Sequence, residues 1–192
     1  PSGSSFFLLV IICIWYNYKR KWGDIMNNGY GQQIVSTKAN TLYALSKVIK
    51  KSKIEKMYIL PVAEFENNRE NVLRDITETY GGEQIIVRSS SSKEDSFKTS
   101  NAGHYESILG INSGDSEQVN SAIEKVIASY QKDIEILDHE QILVQRQAQN
   151  VKFSGVIFTR DIQGNRPYYL INYDDQGSTD SVTSGSGGKT LW

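Results

Sequence analysis

Residues that cross-link a chain or bind soft metal ions are scarce in this sequence of 192 residues, which has one cysteine and two histidines. The single Cys13 cannot form a disulfide within the chain, and with two scattered histidines it offers too few ligands for a structural zinc site. These absences favour a reducing, cytoplasmic setting.

An excess of charge of one sign is also missing. Lysine and arginine total 21 and aspartate and glutamate total 22, which leaves a formal net charge of −1. A chain with this balance has no broad field that would attract nucleic acid or an anionic membrane surface. Any phosphate-binding site must therefore be local.

No apolar run is long enough to cross a bilayer. The longest, Phe6 to Tyr16, has 11 residues and is followed by a basic cluster that begins at Lys19. A membrane-spanning helix needs about 20 apolar residues, and the run lacks the flanking features of a signal peptide. We therefore predict that residues 1–25 are an apolar extension outside the fold, with Met26 as the start of the patterned chain. A membrane anchor is the less favoured alternative.

After Met26 the hydrophobic pattern alternates between helical and strand spacing. We predict helices over residues 39–52, 68–80 and 116–131, and strands over 57–60, 84–87, 105–111, 141–146, 153–159 and 168–173. The last three strands are separated by short polar turns, which indicates an antiparallel meander. The sequence predicts an α+β fold with a first lobe over residues 26–135 and a second lobe over 136–192.

A buried strand that delivers an arginine into a run of hydroxyl groups is the strongest chemical motif. The strand ends at Val87, Arg88 follows, and four serines occupy positions 89–92. An arginine fork matches phosphate oxygens, and serine hydroxyls and backbone amides add donors around the same anion. The pattern indicates a phosphate-binding loop, and a flexible serine-rich surface loop is the alternative.

This segment resembles the signature of a known family, the N-terminal AMP/ATP-binding domain of pyruvate phosphate dikinase and phosphoenolpyruvate synthase, which has the ATP-grasp fold. The resemblance rests on Val87 to Ser90, Ser92, Glu94, Asp95, Ala102 and Gly103. It implies that Arg88 and Ser89 contact ATP phosphates and that Ala102 and Gly103 cover the triphosphate. His104 is not expected to be phosphorylated, because the family's phosphohistidine lies on a separate domain.

Two further blocks resemble the same family. Ser36 to Asn40 is similar to its opening segment, which implies that Lys38 binds phosphate at the start of a helix. Residues 142–146 and 154–161 are similar to its pair of strands at the adenine pocket. The second resemblance implies that Val144 packs against the adenine ring and that Gln145 contacts its edge. Gly155 would allow close backbone approach there, with a β-bulge as the alternative.

A fourth block, residues 177–185, is similar to the family's glycine-rich turn that carries a magnesium-binding glutamate. Asp180 stands in the place of that glutamate, so the resemblance implies that Asp180 binds Mg²⁺. Carboxylate oxygens suit this hard cation. Asp174 and Asp175 are nearby carboxylates that could substitute, and a solvated loop aspartate is the competing interpretation.

The resemblance implies an ATP-dependent kinase in which Lys38, Arg88 and Mg²⁺ neutralise phosphate charge while a phosphoryl group passes to a histidine on another domain. That phosphohistidine domain and an acceptor-binding domain, for pyruvate or another acceptor, are expected outside this sequence. The chain is predicted to stop before the nucleotide site is complete and to be inactive alone. The alternative is a non-catalytic nucleotide-binding or regulatory module, or a truncated paralogue, because Ser36 and Thr37 stand where the family usually has glycines.

Overall fold

Helices and strands of the computed structural model form two units, one from residues 29–147 and one from residues 148–192 together with 1–28. The structure describes residues 8–12, 37–91, 106–130, 140–158, 166–178, 181–184 and 187–191. In chain order the elements are β1 (Leu8–Ile12), α1 (Lys38–Val48), β2 (Met57–Pro61), α2 (Val62–Tyr80), β3 (Gln84–Ser90), β4 (Ser107–Asn112), α3 (Ser116–Tyr130), β5 (Gln141–Arg146), β6 (Phe153–Phe158), β7 (Leu170–Asp174), α4 (Ser181–Ser184) and β8 (Lys189–Leu191). The predicted α+β class is confirmed.

The larger unit is built on an antiparallel sheet with strand order β2-β5-β3-β4. Alternate residues of its strands point to opposite faces. One face packs against α2 and α3 and forms the hydrophobic core, whose fully buried members include Leu60, Phe65, Ile76, Ile85, Val87, Val119, Ile123, Val126, Ile142 and Val144. The other face carries the residues in between, among them Arg88, Leu143 and Gln145.

Helix boundaries follow from local chemistry. Gly81 ends α2 in the left-handed conformation at φ 59°, and its amide donates to the carbonyl of Thr77, as the sequence predicts for a glycine after a helix. The helix begins at Val62, earlier than the predicted residue 68, and Asn68 interrupts it with a non-helical φ of −135°. Asp115 caps α3 by accepting from the amides of Glu117 and Gln118, which satisfies donors that a helix start leaves unpaired.

The smaller unit has a sheet of strand order β1-β6-β7-β8. Strands β6 and β7 pair antiparallel, as the predicted meander requires, but β5 is not their neighbour and instead lies between β2 and β3 in the larger unit. Three consecutive buried residues, Ile142, Leu143 and Val144, suit a strand covered on both faces, which is why β5 occupies a central position.

The apolar run near the start of the sequence contributes a strand to this sheet. Residues 8–12, which the sequence analysis left outside the fold, form β1 and pair in parallel with β6 from Leu8 opposite Phe153 to Ile12 opposite Ile157. This pairing differs from the expectation of an extension outside the fold. Among the residues that the structure describes, no helix has the length and apolar character needed to cross a membrane.

Gly155 of β6 is explained by the neighbouring strand. A Cβ atom at this position would overlap the carbonyl oxygen of Asn172 and lie 3.0 Å from the Cα of Tyr173 on β7. The β6–β7 register runs without interruption from Ser154 to Phe158, so a β-bulge does not account for this glycine. The close backbone approach that it permits is that of β7.

We predict that Gly155→Ala lowers the free energy of unfolding by about 1–3 kcal/mol, because backbone atoms of β7 must move to admit the methyl group. Gly187→Ala is the matched control, since its Cβ would meet only the Cβ of Ser181 at an ordinary 3.9 Å. Urea denaturation followed by circular dichroism measures both variants. Equal stability of the two variants would show that the strands can separate without cost.

Candidate functional site

Arg88 lies near the end of β3, on the sheet face opposite the core. It is half-buried, and its partners across the sheet are Leu143 on β5 and Ser107 on β4. Gln145 is two residues beyond Leu143 on the same face, which makes it a diagonal neighbour of Arg88. Diagonal neighbours on adjacent strands lie about 7–8 Å apart, within reach of long side chains. Arg88 and Gln145 can therefore contact one ligand.

The Gln145 side chain is largely buried, but its amide group makes no hydrogen bond with the described residues. The relative exposure of this side chain is 9%. An amide offers both donors and an acceptor, the combination that a purine edge requires. Val144, by contrast, is 0% exposed in the core against the helices, so its side chain points away from Arg88. Leu143 takes the corresponding position on the Arg88 face.

The serines after Arg88 belong to the folded sheet. The sequence predicted a polar loop from Ser89 onward, but β3 continues through Ser90, and Ser89, Ser90 and Ser91 are all buried. The Ser89 amide donates to the Glu106 carbonyl at 3.2 Å, and the Ser91 hydroxyl donates to Glu140 Oε1 at 2.9 Å. These groups hold the end of the strand in place, which differs from the role of exposed phosphate donors.

Ser90 is at the centre of a buried polar cluster that joins four elements. Its amide donates to the Tyr130 hydroxyl at 2.7 Å, and that hydroxyl in turn donates to the carbonyl oxygen of Gln141. The Ser90 side-chain oxygen accepts from the amide of Ala39 at 2.8 Å. We call Thr37, Ala39, Ser90, Tyr130 and Gln141 the Ser90 junction.

The junction fixes where α1 begins. Thr37 is the N-cap residue: its Oγ1 accepts from the Asn40 amide at 3.2 Å and donates to Gln141 Oε1 at 2.7 Å. Thr37 is thus the cap of α1. Lys38 follows as the first helical residue, beside Ala39, so its backbone lies close to Ser90. The structure therefore brings the predicted Lys38 and Arg88 to the same end of β3.

Two amides at the start of α1 are already satisfied within the protein. The Ala39 amide donates to Ser90 and the Asn40 amide donates to Thr37. A helix start commonly binds anions through such amides. Here a phosphate would instead be attracted by the Lys38 ammonium group and by the positive end of the helix dipole.

Several predicted site residues lie outside the residues that the structure describes. They are Ala102 and Gly103, proposed to cover the triphosphate, His104 beside them, and Asp180, proposed to bind Mg²⁺. Their roles stay predictions.

The alternative metal-binding carboxylates, Asp174 and Asp175, already have partners. Asp174 accepts hydrogen bonds from the amides of Gln176 and Ser178 and from the Ser181 hydroxyl, at 2.8–3.2 Å. The Ser181 hydroxyl is the main reason that the pKa of Asp174 lies below its ordinary value.

Asp175 forms an ion pair with Lys189, and the hydrogen bond from Lys189 lowers the pKa of this carboxyl group. The described parts of the chain hold no group of three histidine, cysteine, aspartate or glutamate residues that could bind a metal ion. Asp174 and Asp175 therefore do not form a metal site with other histidine, cysteine, aspartate or glutamate residues of the described chain.

Comparison with known families identifies the family to which the chain belongs. The model of the pyruvate phosphate dikinase AMP/ATP-binding domain matches residues 24–174. The chain belongs to this family. The resemblance found in the sequence is therefore confirmed, and the match contains Lys38, Arg88 and Gln145. No curated protein and no solved structure matches the chain.

Sequence reasoning missed the part that Tyr130 and Gln141 play in this AMP/ATP-binding domain. Tyr130 continues the apolar stripe of α3, and Gln141 is the first residue of an apolar strand. Helical and strand periodicity account for both residues as packing residues. Only their contacts with Ser90 and Thr37, residues distant in sequence, show that they hold the candidate site together.

We predict that Asp174→Ala raises amide hydrogen exchange at Gln176 and Ser178 about tenfold at pH 5, because both amides lose their acceptor. Nuclear magnetic resonance measures the exchange rates. Asp175→Ala is the control: it removes the ion pair with Lys189 and a side-chain hydrogen bond from Gln176, but it leaves Asp174 Oδ1, which accepts from both amides.

The pH dependence of the same exchange has a defined sign. The pKa of Asp174 in the folded protein lies below its ordinary value of 3.8. The hydrogen bonds to the Asp174 carboxylate therefore stabilise the fold fully above pH 3.8, and this stabilisation is lost as the pH falls through the lower folded pKa. Unchanged exchange in Asp174→Ala would contradict the assignment of these hydrogen bonds.

Proposed function

We propose that this domain binds ATP along the sheet face that carries Arg88 and Gln145, with the phosphates between Arg88 and the start of α1. The observation that carries the proposal is the hydrogen bond from the Ala39 amide to Ser90, which holds Lys38 beside the end of β3. This bond supports a site in which two cationic side chains, of Lys38 and Arg88, act on one anion in a chain whose total charge is almost zero.

The chemistry of the two cations suits a triphosphate. Arginine presents parallel donors to phosphate oxygens, whereas lysine acts as a flexible point charge. Both side chains are half-buried, and partial burial strengthens their attraction for an anion relative to water. Phosphoryl transfer requires chiefly this positioning and charge neutralisation. Gln145 would contact the adenine edge with its amide.

The proposed reaction passes a phosphoryl group from ATP to a histidine on a separate domain. The phosphohistidine would then phosphorylate pyruvate or another acceptor, which a further domain would bind. This proposal rests on membership of the family and on the cationic pair. Asp180 is the proposed ligand for Mg²⁺. A single carboxylate is compatible with that ion, since Mg²⁺ commonly binds one or two carboxylates together with substrate phosphates. Bound Mg²⁺ would supply further neutralisation of phosphate charge.

A nucleotide-binding module without phosphoryl transfer is the second candidate. The observation in its favour is the cap at the start of α1, where the side chain of Thr37 occupies the Asn40 amide. That interaction leaves one fewer backbone donor for a phosphate than an uncapped helix start would offer.

Incubating the chain with phosphate-labelled ATP and a separately expressed phosphohistidine domain of a family member distinguishes the two candidates. Label on the histidine supports transfer. ATP binding without label supports the binding module when the chain is joined to the segment that completes the nucleotide site in that family member.

We predict that Arg88→Lys weakens ATP binding more than tenfold, because lysine cannot reproduce two parallel charge-assisted hydrogen bonds worth roughly 2 kcal/mol or more. Isothermal titration calorimetry on the 192-residue chain measures the affinity. Arg74→Lys on the exposed side of α2 is the control, since Arg74 contacts only its own helix at Asn71 among the described residues. Equal ATP affinity of the wild type and Arg88→Lys would refute the proposed role of Arg88.

A further inference from the structure

The Ser90 junction is a polar cluster of the described chain that is mostly buried and that the proposed binding of ATP does not use. Its contacts connect β3, β5, the last residue of α3 and the start of α1. Buried polar groups are costly unless every donor and acceptor is satisfied. The position of this costly cluster, at the end of the sheet that carries Arg88, suggests that it contributes to the site.

We infer that Ser90 is a positioning residue for ATP, acting through Lys38: its hydroxyl oxygen fixes the start of α1 and so sets the position of the Lys38 ammonium group relative to Arg88. This inference rests on the proposed function. It assigns to Ser90 a role that differs from direct contact with phosphate.

Burial argues against direct contact. Ser90 is 0% exposed, its side-chain oxygen accepts from Ala39, and its amide donates to Tyr130. A phosphate would have to accept a hydrogen bond from the Ser90 O–H group, and the complete burial of this side chain prevents that contact. The Ser90 hydroxyl therefore supports the site structurally, by holding the start of α1.

Ser90 is linked to Arg88 through the backbone of β3 and to Lys38 through the hydrogen bond from the amide of the next residue, Ala39. Arg88 is two residues before Ser90 and on the same face of β3, and Lys38 is the residue before Ala39. A lysine side chain has a long flexible stem, so the range of its ammonium group depends on where its backbone is held. Fixing Ala39 to Ser90 limits that range to the neighbourhood of Arg88.

Tyr130 and Gln141 hold Ser90 in turn. Ser90 and Gln141 are opposite each other in the β3–β5 register, and the Tyr130 hydroxyl bridges the Ser90 amide and the Gln141 carbonyl. The side chain of the same Gln141 accepts from Thr37 at the start of α1. Helix α1 is thus attached at two points, through Ala39 and through Thr37, and this double attachment prevents it from pivoting about either contact.

A double-mutant cycle on the 192-residue chain tests the inference. ATP affinity is measured by calorimetry for the wild type, Ser90→Ala, Lys38→Ala and the double variant. We expect Ser90→Ala to weaken ATP binding about tenfold, and to have less than a twofold effect when Lys38 is already alanine, because coupled residues are not additive. Additive effects, or no effect of Ser90→Ala, would overturn the inference.

Ser113→Ala is the matched control. Ser113 is also 0% exposed in the same unit, and its hydroxyl has no hydrogen-bond partner among the described residues. We expect it to leave ATP affinity unchanged. A purely structural effect of Ser90→Ala would instead weaken binding equally in both Lys38 backgrounds.

Two further measurements keep the test decisive. Hydrogen exchange at the Ala39 amide, which needs no ATP, should rise in Ser90→Ala and stay unchanged in Ser113→Ala; an unchanged rate in Ser90→Ala would overturn the inference. If Ser90→Ala does not fold, Thr37→Val removes the second attachment at nearly constant shape. It should weaken ATP binding through Lys38 in the same kind of cycle, with Thr37→Ser restoring the affinity, and additivity there would also overturn the inference.

Absence of ATP binding by the wild-type chain would refute the proposed function, and the positioning role of Ser90 with it. ATP binding that is insensitive to Ser90 would leave the proposed function intact and refute only the positioning role.

Discussion

The hydroxyl group of Tyr130 is the contact on which the candidate site depends. It accepts from the amide of Ser90 and donates to the carbonyl of Gln141, so it closes the β3–β5 ladder at the end where the two strands separate. Removing this hydroxyl would lower the stability of the fold, because the amide of Ser90 and the carbonyl of Gln141 would lose their hydrogen-bond partner in the interior. Helix α1 is attached to the strand ends that this contact holds together.

Burial distinguishes serines that form hydrogen bonds within the fold from serines that could contact a phosphate, although the sequence does not distinguish them. A run of serines after an arginine is what a phosphate-binding loop requires, and that was the interpretation of residues 89–92. The structure shows that Ser90 and Ser91 are covered and hydrogen-bonded to Ala39 and Glu140. Their hydroxyl groups form hydrogen bonds within the fold at the end of the strand that carries Arg88, whereas a phosphate-binding loop would expose them.

Two cationic residues of the proposed site, Lys38 and Arg88, come from elements 50 residues apart in sequence. The hydrogen bond from the Ala39 amide to Ser90 places the backbone of Lys38 at the end of β3 near which Arg88 lies. An anion as highly charged as a triphosphate is attracted by such a concentration of charge at short range, while distant charges are screened by salt. The proposed site would thus attract ATP although the charges of the whole chain are balanced.

Local pattern alone determined much of this protein. It predicted the α+β class, the glycine stop of α2 and the bounds of β5, because helix and strand periodicity and turn chemistry act over a few residues. The family was predicted by the resemblance of four separated blocks of the sequence to a known one. Tertiary structure decided what periodicity cannot specify. Contacts across 51 and 104 residues of sequence gave Ser90, Gln141 and Thr37 their roles, and strand pairing moved β5 out of the predicted meander. The pairing of β5 also turned Val144 into the core and left Gln145 on the face of Arg88, since the face of a strand residue depends on what packs against each side of the sheet.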